Sequence, residues 1–148
     1  ANNQLALNYL NDFYKKWKKN HIVIEKWFEM MSTLNIETHG LDLIKNLLEH
    51  KDFDYKNPNK LRSVLSTFQR ENVLLFHAND SSGYKFISEQ VAIIDKNNPQ
   101  AAARLILPLT RFKNYSNDRQ NKIKDVLKSI NKPFISNDLS EIIEKALI

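Results

Sequence analysis

Asn57-Pro58-Asn59-Lys60-Leu61-Arg62-Ser63-Val64-Leu65 decides the fold class of this chain. Forty-one residues on comes Asn98-Pro99-Gln100-Ala101-Ala102-Ala103-Arg104-Leu105-Ile106. Each stretch opens on Asn-Pro, runs into an apolar-periodic helix and places an arginine in its second turn. Asn suits the N-cap because its side-chain oxygen accepts a first-turn N–H. Pro suits the first helical position, where no hydrogen bond is lost. A recurrence near 40 residues is the period of helical-hairpin solenoids of the HEAT and armadillo type.

Outward from these two starts, i, i+3, i+4 spacing predicts further helices. They cover 3–19 (Leu10, Phe13, Tyr14 and Trp17 inward), 22–34 (Val23, Trp27, Met30, Met31, Leu34) and 40–50 (Leu41, Ile44, Leu47, Leu48). The first Asn-Pro helix covers 58–71, with Leu61, Val64, Leu65 and Phe68 inward, and a short apolar segment, 73–77, follows. Helices over 83–96, 99–113 and 117–130 come next, with Pro108 inside the second of these, where it should kink the helix. Pro133 breaks the chain and Ser136 caps a last helix. No stretch alternates with period 2. The two glycines, Gly40 and Gly83, are too few for the tight turns of a mixed fold. The expected architecture is all-α, a superhelix of antiparallel helix pairs.

The 148 residues suit one domain, read here as 1–148. The chain opens at Ala1 in amphipathic sequence, which reads as a fragment of a longer protein. With no cysteine, thiol catalysis, cysteine-bound zinc and iron–sulfur clusters are excluded. No apolar run reaches the length of a membrane span. The net charge of +5 is compatible with a nucleic-acid partner. The four lysines Lys15, Lys16, Lys18 and Lys19 concentrate that charge, and a solvated helix face is the favoured reading of them.

Catalytic constellations fare badly. None of His21, His39, His50 and His77 is followed by Glu, and no two stand at i, i+4, so the zinc motif H-E-x-x-H is missing. His77, Asp80, Ser81 and Ser82 supply the residue types of a hydrolase triad, but neighbours in sequence do not reach its geometry. A turn and helix cap is the expected role of Asp80, Ser81 and Ser82. The residues by themselves point to no enzyme.

Five segments carry a resemblance: Phe13-Tyr14-Lys15-Lys16-Trp17, Glu25-Lys26-Trp27-Phe28, Asn57 to Ser63, Phe76-His77-Ala78-Asn79-Asp80-Ser81-Ser82-Gly83-Tyr84, and Asn98-Pro99-Gln100 with Arg104-Leu105-Ile106 and Pro108-Leu109. In order and spacing the chain resembles the C-terminal helical domain of the bacterial aminopeptidase N family, zinc-dependent alanyl aminopeptidases. The resemblance implies a cytoplasmic metalloenzyme that removes N-terminal residues from peptides. Its zinc, H-E-x-x-H motif and N-terminus-binding acids lie in a catalytic domain outside this chain, so no cofactor is expected here. It implies a domain that closes over the active-site cavity, with the parent's catalytic and middle domains and its peptide substrate as partners, and neither nucleic acid nor membrane. It places Arg62 and Arg104 at cavity-lining, substrate-binding positions, and assigns no catalytic or metal residue here. On a helical wheel Arg62 lies roughly 110° and Arg104 roughly 135° from the apolar stripe of its own helix. If their helices are equivalent members of successive hairpins, the two side chains share one side of the superhelix. The family tends to have Glu where Asn79 stands and Gly where Ser81 stands. It often has an acid where Leu107 stands, so here no partner on its own helix orients Arg104. The rival reading is a helical-repeat binding module for nucleic acid or protein.

Overall fold

The computed structural model describes residues 3–130 and 132–148. Ten α-helices follow one another, with no strand among the described residues: α1 Asn3–Trp17, α2 His21–Ser32, α3 Asp42–Leu48, α4 Pro58–Leu61, α5 Thr67–Glu71, α6 Val73–Phe76, α7 Ser82–Asp95, α8 Pro99–Thr110, α9 Asn117–Ser129 and α10 Asn137–Leu147. A π-helical turn, Arg62–Ser66, joins α4 to α5, so 58–71 is one helical run with an altered middle. Contacts gather into two compact units, Ala1–Phe76 and His77–Ile148.

In the first unit α2 is the hub, touching α1, α3, α4, the π turn and α5. Its core face is Ile24, Trp27, Phe28 and Met31, all buried. Met30 is exposed and Val23 only half-buried, contrary to the expected face. The segment from Ile22 to Met31 is apolar nearly all round, so two wheel registers fit it. Packing against α1 and the π turn selects the one that buries Phe28. Trp17 likewise lies exposed at the end of α1, while Leu10 and, one turn before it, Leu7 are buried. α1 stops at Trp17, not 19, because Asn20 caps the next helix by accepting from the N–H groups of Ile22 and Val23. α3 starts only at Asp42, since Gly40 takes a left-handed φ of +49°. The apolar segment near 73–77 is the short helix α6, with Phe76 buried and Val73 and Leu74 exposed.

In the second unit α8 packs on α7 and α10, and α9 packs on the same two helices. Tyr84, Ile87, Val91 and Ile94 of α7, Leu105, Ile106 and Leu109 of α8, and Ile123, Val126 and Leu127 of α9 are buried, as their spacing predicts. α8 runs through Pro108 and ends at Thr110, so Phe112 belongs to a separate 3-10 turn, Phe112–Asn114.

Candidate functional site

Asn57 and Asn98 cap as their sequence context predicts. Asn57 Oδ1 accepts from the N–H of Asn59 at 2.9 Å and of Lys60 at 3.4 Å, and Asn98 Oδ1 accepts from the N–H of Ala101 at 3.0 Å. Pro58 and Pro99 each occupy the start of the helix that follows. The two helices therefore begin at fixed points, and an arginine stands at a fixed distance along each. Arg62 and Arg104 are both exposed, while Leu61, Val64, Leu65, Leu105 and Ile106 beside them are buried.

The two arginines differ in their surroundings. Arg62 Nη2 donates to Asn59 Oδ1 at 2.6 Å. It opens the π turn, which two hydroxyls support. Ser63 Oγ donates to the Asn59 carbonyl at 2.7 Å, and Thr67 Oγ1 donates to the Arg62 carbonyl at 3.4 Å. Hydroxyl donation to a carbonyl one turn back offers an alternative to the helical ladder and deforms it. π turns are short and gather at functional places. Arg104 makes no side-chain hydrogen bond or ion pair with a described residue, and Leu107, where an acid would have met it, is exposed. Pro108 also has no N–H to give the Arg104 carbonyl four residues back. The arginines lie in different units, each presented to solvent by its own helix.

Each unit holds a histidine-centred polar cluster that single-residue motifs do not disclose. In the first, Tyr14 OH donates to Asp52 Oδ2 at 2.5 Å, and the N–H of Asp52 donates to His50 Nδ1 at 3.1 Å. Burial and the Asp52 hydrogen bond push Tyr14 up to about 12. Burial holds His50 below the usual imidazole value, with Lys51 adding and Asp52 opposing. In the second, Arg119 Nη1 donates to the His77 carbonyl at 2.9 Å and to Tyr84 OH at 2.7 Å. Tyr84 OH also shares a hydrogen bond with His77 Nδ1. Burial and then Arg119 hold His77 low. His50 thus accepts at Nδ1 as a neutral imidazole. These clusters fasten helices together, and His77, Asp80, Ser81 and Ser82 do not assemble into a triad, in keeping with the expectation from sequence. His77 instead faces Tyr84, Tyr115 and Arg119. Asp80 Oδ1 accepts from the N–H of Ser82 at 2.9 Å, the turn-closing role expected of it. Among the described residues no three His, Asp or Glu side chains converge as zinc ligands do.

Stacked helices in units of this kind define an armadillo-type repeat protein. The chain belongs to the family described as "Domain of unknown function (DUF3458_C) ARM repeats", whose model matches residues 1–148. It is homologous to the C-terminal region of bacterial aminopeptidase N. The identity is 39% over 139 residues with the Haemophilus influenzae aminopeptidase N, 38% with that of Escherichia coli and 32% with that of Caulobacter vibrioides. Each match covers 93% of this chain and 16% of the relative. A solved relative, Legionella pneumophila aminopeptidase A in complex with aspartic acid, superposes with a TM-score of 0.90 at 30% identity. That match covers 99% of this chain and 17% of the other. The chain thus spans about one sixth of the length of the proteins it resembles.

Proposed function

We propose that this chain is the non-catalytic C-terminal domain of a zinc aminopeptidase that removes N-terminal residues from peptides. In this reading it caps and shapes the active-site cavity. The observation that carries it is the extent of the match: nearly all of the chain aligns, to a sixth of aminopeptidase N. In this reading the metal and its chemistry belong to the rest of the parent, in the cytoplasm. Arg62 and Arg104 are the residues of this chain that would meet substrate. Each keeps a positive charge at any working pH, and a guanidinium grips a carboxylate through two parallel hydrogen bonds. The C-terminal carboxylate of a peptide is the matching group.

The test begins with the isolated chain. It should hold no zinc after dialysis and turn over no alanine anilide, whereas the full-length parent does both. Stoichiometric zinc, or turnover stopped by a chelator, in the isolated chain overturns the reading.

The rival, a nucleic-acid module, draws on one feature. Lys15, Lys16, Lys18 and Lys19 line a shallow cavity of about 240 Å³ with Trp17 and Asn20. Phosphate binding there would show as duplex DNA affinity that falls steeply with salt. The aminopeptidase reading expects none.

A further inference from the structure

We infer that Asn59 is a positioning residue for Arg62, aiming its guanidinium at a peptide carboxylate without neutralising it. The inference rests on the reading of Arg62 given above.

Arginine has five N–H donors in a planar fork, with two edges that can each engage a carboxylate. A free arginine side chain spreads over many rotamers and loses that freedom when fixed. At 2.6 Å the bond from Nη2 to Asn59 Oδ1 fixes one corner of the fork. Whichever Nη2 hydrogen is used, one two-donor edge stays open.

The holder is itself held. The N–H of Asn59 is tied to Asn57 Oδ1 at 2.9 Å, and its carbonyl accepts from Ser63 Oγ at 2.7 Å. The π turn that Arg62 opens sets the direction from which the side chain leaves the helix. Three separate contacts therefore converge on one orientation of one exposed cation.

The chemistry of the holder matters as much as its place. An amide oxygen carries no net charge. Asp at the same position would orient Arg62 equally well but cancel its charge and repel an incoming carboxylate. No acid forms an ion pair with Arg62 among the described residues. Orientation and charge are thus supplied together, which an ion pair does not do.

The experiment uses the full-length enzyme that carries this domain. Peptides with a free C-terminal carboxylate are compared with the same peptides amidated, and the ratio of their kcat/KM values is the readout. Arg62→Ala should lower that ratio by about tenfold, the scale of a hydrogen-bonded charge. Asn59→Ala should lower it by about threefold, mainly through KM, since the fork survives but is no longer aimed. Asn59→Asp should lower it at least as far as Asn59→Ala, and Asn59→Ser, which keeps a neutral acceptor, should recover part of the loss. Melting temperatures exclude unfolding as the cause. If Arg62→Ala leaves the ratio at the wild-type value, the reading of Arg62 falls and the inference with it. If Arg62→Ala lowers the ratio while Asn59→Ala does not, only the role of Asn59 falls. If Asn59→Asp keeps the wild-type ratio, the argument for a neutral acceptor is overturned.

Discussion

Ser81 shows how much one backbone conformation can cost. It has φ 65° and ψ 10°, the left-handed region, and its side chain makes no capping bond at the start of α7. A non-glycine residue pays about 1–2 kcal/mol there, and glycine escapes that cost while losing some entropy on folding. Ser81→Gly should therefore stabilise the protein by about 0.5–1 kcal/mol, read as a higher urea midpoint with an unchanged slope. An unchanged or lower midpoint would show that the serine hydroxyl offsets the strain. The position was legible as a turn, because Asn79 to Gly83 is a cluster of turn residues. Which member takes the positive φ is not marked by Ser81 itself; the one signal is that the resembled family tends to have Gly there. The outward pointing of Arg62 and Arg104 was legible too, because a wheel position is a local property. Asn59 as the partner of Arg62 was within reach, lying three residues back on the same helix face. The π turn between them hides inside an unbroken i, i+3, i+4 pattern. Its one signal is a pair of hydroxyl residues, Ser63 and Thr67, a turn apart in an otherwise apolar stripe.

Helix ends were read well where the cap is local and poorly where the fastening is distant. Ser136 caps α10 by accepting from the N–H of Leu139, as expected from sequence. What holds Ser136 is Asp95, at the far end of α7. Its Oδ2 accepts from the N–H of Ser136 at 2.6 Å and its Oδ1 from Ser136 Oγ at 2.5 Å. Asp95 is buried, and nothing in its local sequence marks it. Forty-one residues separate the two, and no periodicity reaches so far. Truncation would leave the part-buried N–H and hydroxyl of Ser136 without this partner, so Asp95→Ala should cost about 1–2 kcal/mol, with Asp95→Asn milder. Chemical denaturation measures this, and a loss below about 0.5 kcal/mol would make the contact incidental. Asn72 does the same work in the first unit. Its Nδ2 donates to the carbonyls of Ser32, at 3.1 Å, and Leu34, at 2.9 Å, satisfying acceptors that the end of α2 leaves open.

At the scale of the whole molecule the two imidazoles set the response to acid. His50 accepts the Asp52 N–H at Nδ1, and His77 lies beside the Arg119 cation in a part-buried cluster, so protonation disfavours the arrangement in each unit. Tyr14, Trp27, Phe28 and Asp52 face His50, with Lys51 beside it in sequence. Tyr84, Tyr115 and Arg119 face His77. Both histidines titrate below the usual value in the folded chain. The unfolded chain therefore takes up protons first as pH falls. The contribution of these two histidines to stability is complete above about pH 6.5 and is lost as pH falls towards their folded-state values. The melting temperature should fall between pH 7.5 and 5.5, and His50→Gln with His77→Gln should flatten that fall. An equally steep fall in the double variant would assign it to carboxylates instead. The fold class was fully legible from sequence, because helical periodicity and Asn-Pro starts are repeated along the whole chain. The division at Phe76 and His77 was not, since no Gly-rich or Pro-rich linker marks it.

The π turn also bears on how such a domain changes over time. Within 62–66 the polypeptide carries one residue more than a regular helix needs to span the same rise. Losing one residue there would relax the run into ordinary α-helix and keep the capped start at Asn57. The azimuth of Arg62 relative to everything downstream would change, though no side chain had been replaced. Chain length at this turn is therefore a dial for the direction of a surface charge. In an alignment it is read as a single gap.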